Sequence, residues 1–521
     1  MFYLSGYTPH SETEPAPFLY YYSKTAQAFV IQRSDGSERR VLAEYLLPPG
    51  HSGVAGPGWS ASGQWFAWFS GQLLSGPVPD DTFSSAMVVN GDTGNIIEAI
   101  ENCFVDFLDW SPSMDLLLIG CYETYAEVDS YTYFIFDPTI ENILFKMDGE
   151  DFGLTGNIVD ITSAHWGPNG DNLIFYYASS TDWDEDRYIM KLLSNEGVLI
   201  AQREFYTRHL SISQPSWSEN GIVVYFNADR HLVTEQLLGN SLITFDSNPI
   251  TKVEEVAWID WSPDGAHALV YEDTLAGFSD VDTNFNPVWL LSIPEQSLTH
   301  IAESAKPNLP SRWHDDTYGQ TSNWSPDGKL AFIVDTEDRV FLVDPSLPDL
   351  ILLHELVDSN LEVLPNSVRW SRDSDSLAVV EYSSSYWDPD DPSRFYFYDI
   401  ELLEVSRTVE AHVVFDHFIY LTSEGSLVYS SPTCLGTCVL NLVTGVITSL
   451  RFVDPTNRIG SALEIFWLPE GDWIIMAGDQ EPGQRLLNVG NLTNGRVYSL
   501  GPCNLSQACF GWLPNVKRAA P

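Results

Sequence analysis

Three short stretches of the chain concentrate oxygen ligands: TDWDEDR (Thr181 to Arg187), FSDVDTNFN (Phe278 to Asn286) and SYWDPDDPS (Ser385 to Ser393). Asp182, Asp184 and Asp186 alternate as D-x-D-x-D, and Asp280, Asp282 and Asn284 repeat the spacing as D-x-D-x-N. Calcium takes about six to eight oxygen ligands, and alternating acidic positions aim successive side chains into one site when a loop curves. Calcium is therefore the cofactor these residues would hold. Neither stretch supplies the Gly and Glu that complete an EF-hand loop, so a site here needs ligands from neighbouring segments. Asp388, Asp390 and Asp391 form a third cluster, in which Pro389 limits how the loop folds. Trp183 and Trp387 stand beside these carboxylates. Together with Asp388 and Asp390 they outline a ligand rim on which a sugar or peptide would stack. Solvated loop tips also collect acidic and turn residues, and the sequence alone leaves both readings open.

The six cysteines fall into local pairs: Cys103 with Cys121, Cys434 with Cys438, and Cys503 with Cys509. Folding the chain about the turn after Trp110 brings Cys103 and Cys121 onto adjacent strands at nearly the same level. Locally paired cysteines suit disulfides in an oxidising compartment. Zinc is the competing use, but these spacings lack the paired CxxC or His pattern of a structural zinc site. Motifs for nucleophilic, zinc-hydrolase, nucleotide and dinucleotide chemistry are missing from the sequence. The eleven histidines are scattered, His412 and His417 being close only in sequence.

The elements that must carry these loops are set by a repeat. Ten times an aromatic residue closes a short apolar stretch and is followed by a polar tight turn and a second apolar run. WSPDGAHALVYED from Trp261 and WSPDGKLAFIVD from Trp324 are the plainest copies. Others begin at Trp59, Trp110, Trp166, Trp217, Trp370, Tyr420 and Trp467, and the last is the truncated WLP at Trp512, at spacings of 44 to 63 residues. A period of this size means a repeat architecture. Within one copy the pattern is all strand: runs of β-branched and aromatic residues bounded by turn residues, without 3.6-residue periodicity. Four short antiparallel strands per copy describe a β-propeller blade. The landmark tryptophans recur at equivalent positions, so they are expected to pack between neighbouring blades.

The W-S-P-D-G copies resemble the TolB-like propeller family, whose repeat is related to WD repeats, and the resemblance covers about Phe18 to Trp512. Only Trp261 and Trp324 carry the core intact. The resemblance implies protein–protein interaction as the usual use, and the helical N-terminal domain expected of TolB itself is absent from this sequence. The expected fold is all-β: a propeller of about ten four-stranded blades over 18–513, between an N-terminal extension (1–17) and a C-terminal tail (514–521). Phe18 to Leu42 reads as strands two to four of a blade, and Ala508 to Trp512 as a first strand, so their pairing would close one ring. Two smaller propellers in tandem are the alternative, with a boundary near 306–320.

With 72 acidic against 25 basic residues, the net charge of −47 argues against nucleic acid or an anionic membrane surface as partner. It favours a cationic ligand or divalent metal, or simply a self-repelling soluble surface. No apolar run approaches the roughly 18 residues of a membrane span. The N-terminus lacks the charged start and apolar core of a signal peptide. The cysteines nonetheless point to an extracellular or periplasmic protein whose export signal is not in this chain. The reading is an exported, non-catalytic propeller that binds a protein partner as an interaction or scaffold module, with a cationic or glycan ligand as the other candidate. The alternative is an enzyme acting on polysaccharide or peptide in the central funnel.

Overall fold

A computed structural model describes residues 18–23, 27–33, 38–44, 53–71, 84–125, 128–147, 161–178, 187–206, 215–218, 220–227, 232–238, 241–244, 256–272, 286–306, 322–347, 349–356, 361–371, 373–383, 393–411, 420–421, 426–431, 436–441, 446–452, 462–467, 473–481, 484–491, 496–503 and 510–512. These residues are almost entirely strand, interrupted by a 3₁₀ turn at Pro365–Ser367. Most of their sheets are antiparallel and follow chain order, as hairpin-connected blades must, whereas Arg451–Phe452 pairs parallel with Arg496–Cys503. The Trp166 repeat is representative: Ile161–Trp166, Asn172–Ala178, Arg187–Ser194 and Leu199–Tyr206 pair in sequence.

Two sheets are larger, with seven strands each, because adjacent repeats merge edge to edge. In the first, Ile96–Trp110 is at once the last strand of the Trp59 repeat and the first of the Trp110 repeat. In the second, Ser297–Lys306 pairs with Ala331–Asp335 through Ala305↔Asp335 and Lys306↔Val334. The strands flanking 307–321 therefore belong to one sheet. The chain divides into two compact units: Pro15–Pro249 together with Pro502–Pro521, and a second containing Ile250–Gly501. The chain leaves the first unit after Pro249 and returns to it at Pro502. That return is visible in the ladder, where Phe510–Trp512 pairs antiparallel with Phe18–Ser23 through Leu19↔Trp512 and Tyr21↔Phe510.

The turn chemistry explains why the repeat is written W-S-x-D-G. In the Trp324 copy, the buried Ser325 hydroxyl donates to Asp327 Oδ1 at 2.7 Å and accepts the Leu330 backbone N–H at 3.1 Å. Asp327 Oδ1 also accepts the Lys329 N–H at 3.2 Å. Ser262–Asp264 and Ser371–Asp373 build the same network. Gly265 and Gly328 sit at φ +64° and +73°, where an L side chain would be strained.

The landmark tryptophans pack in the cores between successive repeats. Trp166 joins Leu116, Leu118 and Tyr133 of the preceding repeat, and Trp370 joins Phe332 and Val334. Their indole N–H groups add a hydrogen bond at a fixed address. Trp110 donates to Gly58 O, Trp166 to Asp109 O, Trp324 to Asp260 O and Trp370 to Asn323 O, at 2.9–3.0 Å. In every case the acceptor is the residue just before the previous landmark aromatic. Trp217 departs from this, donating to the Tyr176 hydroxyl at 3.1 Å.

Most fourth strands are sheet edges, Ile96–Trp110 and Ser297–Lys306 being paired on both sides, and most carry an extra residue. Register slips mark a bulge at Leu42, Ala99, Leu144, Ile200, Ile301, Leu353 and Ser406. A bulge interrupts the ladder and twists the strand, which is a common way of blunting an edge against pairing with another chain.

Candidate functional site

In an antiparallel blade, the turn between strands one and two and the turn between three and four share one end. The connection from strand two to strand three lies at the other. All three acidic stretches are such two-to-three connections. They join Asn172–Ala178 to Arg187–Ser194, His267–Glu272 to Asn286–Ser292, and Ser376–Ser383 to Ser393–Asp399. Each thus leaves its own blade at the end opposite the W-S-x-D-G turn. Asp182, Trp183, Asp184, Asp186, Asp280, Asp282, Asn284, Trp387, Asp388, Asp390 and Asp391 themselves lie outside the described residues.

Cys103 and Cys121 form a disulfide, with Cα atoms 5.6 Å apart. Cys121 stands opposite Val105, two residues along from Cys103, so the bond ties the shared strand Ile96–Trp110 to Leu117–Tyr125. Cys438, fully buried in Gly436–Asn441, is also disulfide-bonded, and no free cysteine occurs among the described residues. Cys434 and Cys509 lie outside the described residues, while Cys503 ends the strand Arg496–Cys503.

A buried polar cluster that sequence reasoning missed involves the strands Ile351–His354, Ser376–Ser383 and Ser393–Asp399. Glu381, two residues from the end of Ser376–Ser383, has no exposed surface, and His354, the last residue of Ile351–His354, is 3% exposed. His354 Nδ1 hydrogen-bonds the Tyr398 hydroxyl at 2.7 Å. Its Nε2 lies 3.2 Å from Glu381 Oε1 without forming a hydrogen bond. The Tyr396 hydroxyl donates to Glu381 Oε2 at 3.1 Å. Burial raises both phenol pKa values: for Tyr396 the Glu381 charge adds to the effect, and for Tyr398 the charges of Tyr396 and Glu381 do. The strand of His354 belongs to the Trp324 repeat and the other three residues to the Trp370 repeat, so the cluster bridges successive blades.

A second bridge occurs one repeat after the first acidic stretch. Glu235, 2% exposed in Leu232–Leu238, accepts from Arg203 Nε at 2.9 Å and Nη2 at 3.0 Å. The Tyr225 hydroxyl donates to it at 2.9 Å and the Thr244 hydroxyl at 3.0 Å. Hydrogen bonding to Glu235, above all, raises the Arg203 pKa. Glu235 and Glu381 each receive a basic side chain from the preceding repeat and so join strands of successive repeats. The legible signal for both was one carboxylate inside an apolar run, LVTEQLL and SLAVVEYS.

No metal-holding group of His, Cys, Asp and Glu occurs among the described residues. Nor is any helix among them long and apolar enough to cross a membrane.

No protein-family model and no curated protein matches the chain. Among solved structures it is similar to TolB from Acinetobacter baumannii, at 11% identity over 77% of this chain and 83% of that one, with a TM-score of 0.25. It is similar to an oligogalacturonate lyase in complex with manganese, at 12% identity over 72% and 96% of the two chains, with a TM-score of 0.34. It is also similar to a prolyl endopeptidase, at 12% identity over 88% of this chain and 51% of that one, with a TM-score of 0.39. The all-β architecture of successive four-stranded antiparallel repeats is propeller-like, and it rests on the repeat and the strand pairing described above.

Proposed function

We propose that this chain is an exported, non-catalytic β-propeller module that binds a protein partner through the connections between second and third strands, with calcium ordering those connections. The observation that carries the reading is topological: three separate acidic stretches occupy the same connection of the repeat, each leaving its blade at the end away from the W-S-x-D-G turns. Acidic residues scattered for solubility alone would have no reason to choose one connection. The Cys103–Cys121 bond and the oxidised Cys438 support an oxidising compartment. In that setting millimolar calcium is plentiful enough to occupy a site of modest affinity.

The test uses the full chain, freed of metal with a chelator, as bait for the native extracellular fraction with and without millimolar calcium. The expected outcome is calcium-dependent enrichment of one polypeptide, lost with Asp182→Ala plus Asp184→Ala or with Asp280→Ala plus Asp282→Ala. A parallel melting curve should rise on adding calcium to the parent chain and rise less for either pair. Enrichment indifferent to calcium and to both pairs would leave the loops as solvated tips. Turnover of a glycan or peptide panel by the isolated chain would replace the module with an enzyme.

A further inference from the structure

The end of the blades away from the acidic connections carries a different kind of surface. At the corner between the third and fourth strands of the Trp110 repeat, Ile140, Ile143 and Leu144 are 60%, 38% and 45% exposed. At the same corner of the Trp166 repeat, Val198 and Leu199 are 61% and 53% exposed. The two corners touch. Gly197, at φ +80°, lies so close to the Phe145 ring that a Cβ there would come within 2.2 Å of it. The Asn195 amide also reaches the Met114 sulfur at 3.7 Å. Five exposed aliphatic side chains thus stand on two abutting corners, and clustered exposed apolar side chains mark interaction sites.

The local backbone presents this patch actively. Leu144 is the bulge residue of Asn142–Met147, left without a partner between the pairs Ile143↔Phe136 and Phe145↔Ile135. The bulge residues Leu42 and Ala99 of other fourth strands turn inward and are buried. At Leu144 the bulge instead leaves two consecutive aliphatic residues facing outward, and re-aiming a side chain is what bulges at functional sites do. The surroundings are acidic: Glu141, Asp171 and Glu196 are exposed around the patch, against Lys146 alone.

We infer that this double corner docks a basic, apolar-faced segment of a partner protein. A second copy of this chain is disfavoured by charge, since two molecules of −47 repel each other. Addition of a partner strand is disfavoured by the bulges at Leu144 and Ile200, which interrupt both edge ladders. What remains is side-chain docking, in which aliphatic residues meet Ile143, Leu144, Val198 and Leu199 while lysines or arginines meet Glu141 and Glu196.

The full chain is titrated into a labelled peptide of alternating Lys and Leu, with a Lys/Ser peptide of equal charge as control. The parent chain should prefer the Lys/Leu peptide. Leu144→Ser with Val198→Ser and Leu199→Ser should weaken that binding about tenfold or more and leave the melting temperature unchanged, because all three side chains are already exposed. Glu141→Gln with Glu196→Gln should weaken it less and flatten its dependence on salt. Equal affinity for both peptides, no binding, or undiminished binding by the Ser variant overturns the inference. A parent dimer in sedimentation that the Ser variant abolishes also overturns it, by giving the corner to a second copy.

Discussion

Arg203–Glu235 and His354–Glu381 solve the same problem with different chemistry. In both, a basic side chain on the fourth strand of one repeat reaches a buried carboxylate inside the next repeat. Each bridge fastens neighbouring blades beside their largely apolar packing and the indole hydrogen bonds. The Arg203 bridge is saturated: two guanidinium N–H groups, a phenol and a threonine hydroxyl converge on Glu235. A guanidinium is charged at any ordinary pH and its fork fits a carboxylate. The His354 bridge is looser: the imidazole spends its aligned hydrogen bond on Tyr398 and only approaches Glu381. Because no aligned hydrogen bond joins His354 to Glu381, removing that carboxylate breaks none of the imidazole's hydrogen bonds. The difference teaches that burial of a carboxylate does not set its structural weight; the aligned hydrogen bonds from its basic partner do.

The largest expected effect follows. Glu235→Ala strands a cation, a phenol and a hydroxyl together. Breaking a buried ion pair from one side destabilises by about 3–5 kcal/mol, and the low end applies because Arg203 keeps 32% of its side chain exposed and regains water. Glu381→Ala removes the acceptor of the Tyr396 hydroxyl but no aligned hydrogen bond of His354, and should be milder, about 1–2 kcal/mol. Differential scanning calorimetry of the two variants checks the order, each substitution acting on the transition of its own compact unit. Equal losses, or a larger loss for Glu381→Ala, would show that the two bridges are equivalent after all.

Much of this architecture was legible beforehand, for identifiable reasons. The repeat register, the strand order and the role of the tryptophans follow from short-range signals, because Ser325, Asp327 and Gly328 must stand together for the turn to form. The pairing of Phe510–Trp512 with Phe18–Ser23 was legible because each end of the sequence holds the strands the other lacks. The polar bridges were not. Glu235 is conspicuous in its strand, but its partner is 32 residues away in the preceding repeat. Only the stacking of blades brings Arg203 to it. The bulges were equally hidden, since one extra residue in a fourth strand has no composition of its own. Leu144 reads as an ordinary core leucine until the ladder slips beside it.

Asp260 sharpens the comparison by showing a buried carboxylate with no basic partner. It accepts the Asn323 backbone N–H at 2.7 Å, and burial pushes its pKa up to about 7. Asp109, the equivalent residue of the Trp110 repeat, is pushed up to about 6 by the same cause. An acid whose folded pKa is raised binds more protons folded than unfolded. Its stabilising contribution is full below the unfolded value of 3.8 and is lost as pH rises through about 7. The chain should therefore lose roughly 2–3 kcal/mol between pH 5 and pH 8 from Asp260 alone. Asp260→Asn keeps the acceptor and removes the charge, so its melting temperature should fall less over that range than the parent's. Parallel pH profiles would mean that Asp260 stays ionised in the fold and finds its compensation elsewhere.

The smallest effect separates the indole bonds in the same terms, by whether the abandoned group is able to find a new partner. Trp324→Phe keeps most of the apolar contact with Leu269, Tyr271 and Ile333 but leaves Asp260 O without the indole that bonds it at 2.9 Å. A main-chain carbonyl buried between blades has nowhere to turn, and an orphaned polar group destabilises by about 1–3 kcal/mol. Trp217→Phe abandons the Tyr176 hydroxyl instead. That hydroxyl already reaches Pro215 O at 3.3 Å and is free to rotate fully onto it once the indole leaves. Trp217 is also only partly buried, so water replaces some of what is lost. The expected order is a loss near 2 kcal/mol for Trp324→Phe and under about 1 kcal/mol for Trp217→Phe, read as midpoint shifts in urea at constant slope. If Trp217→Phe proves the more damaging, the repeated carbonyl address is incidental to stability, and the blades are held by apolar packing alone.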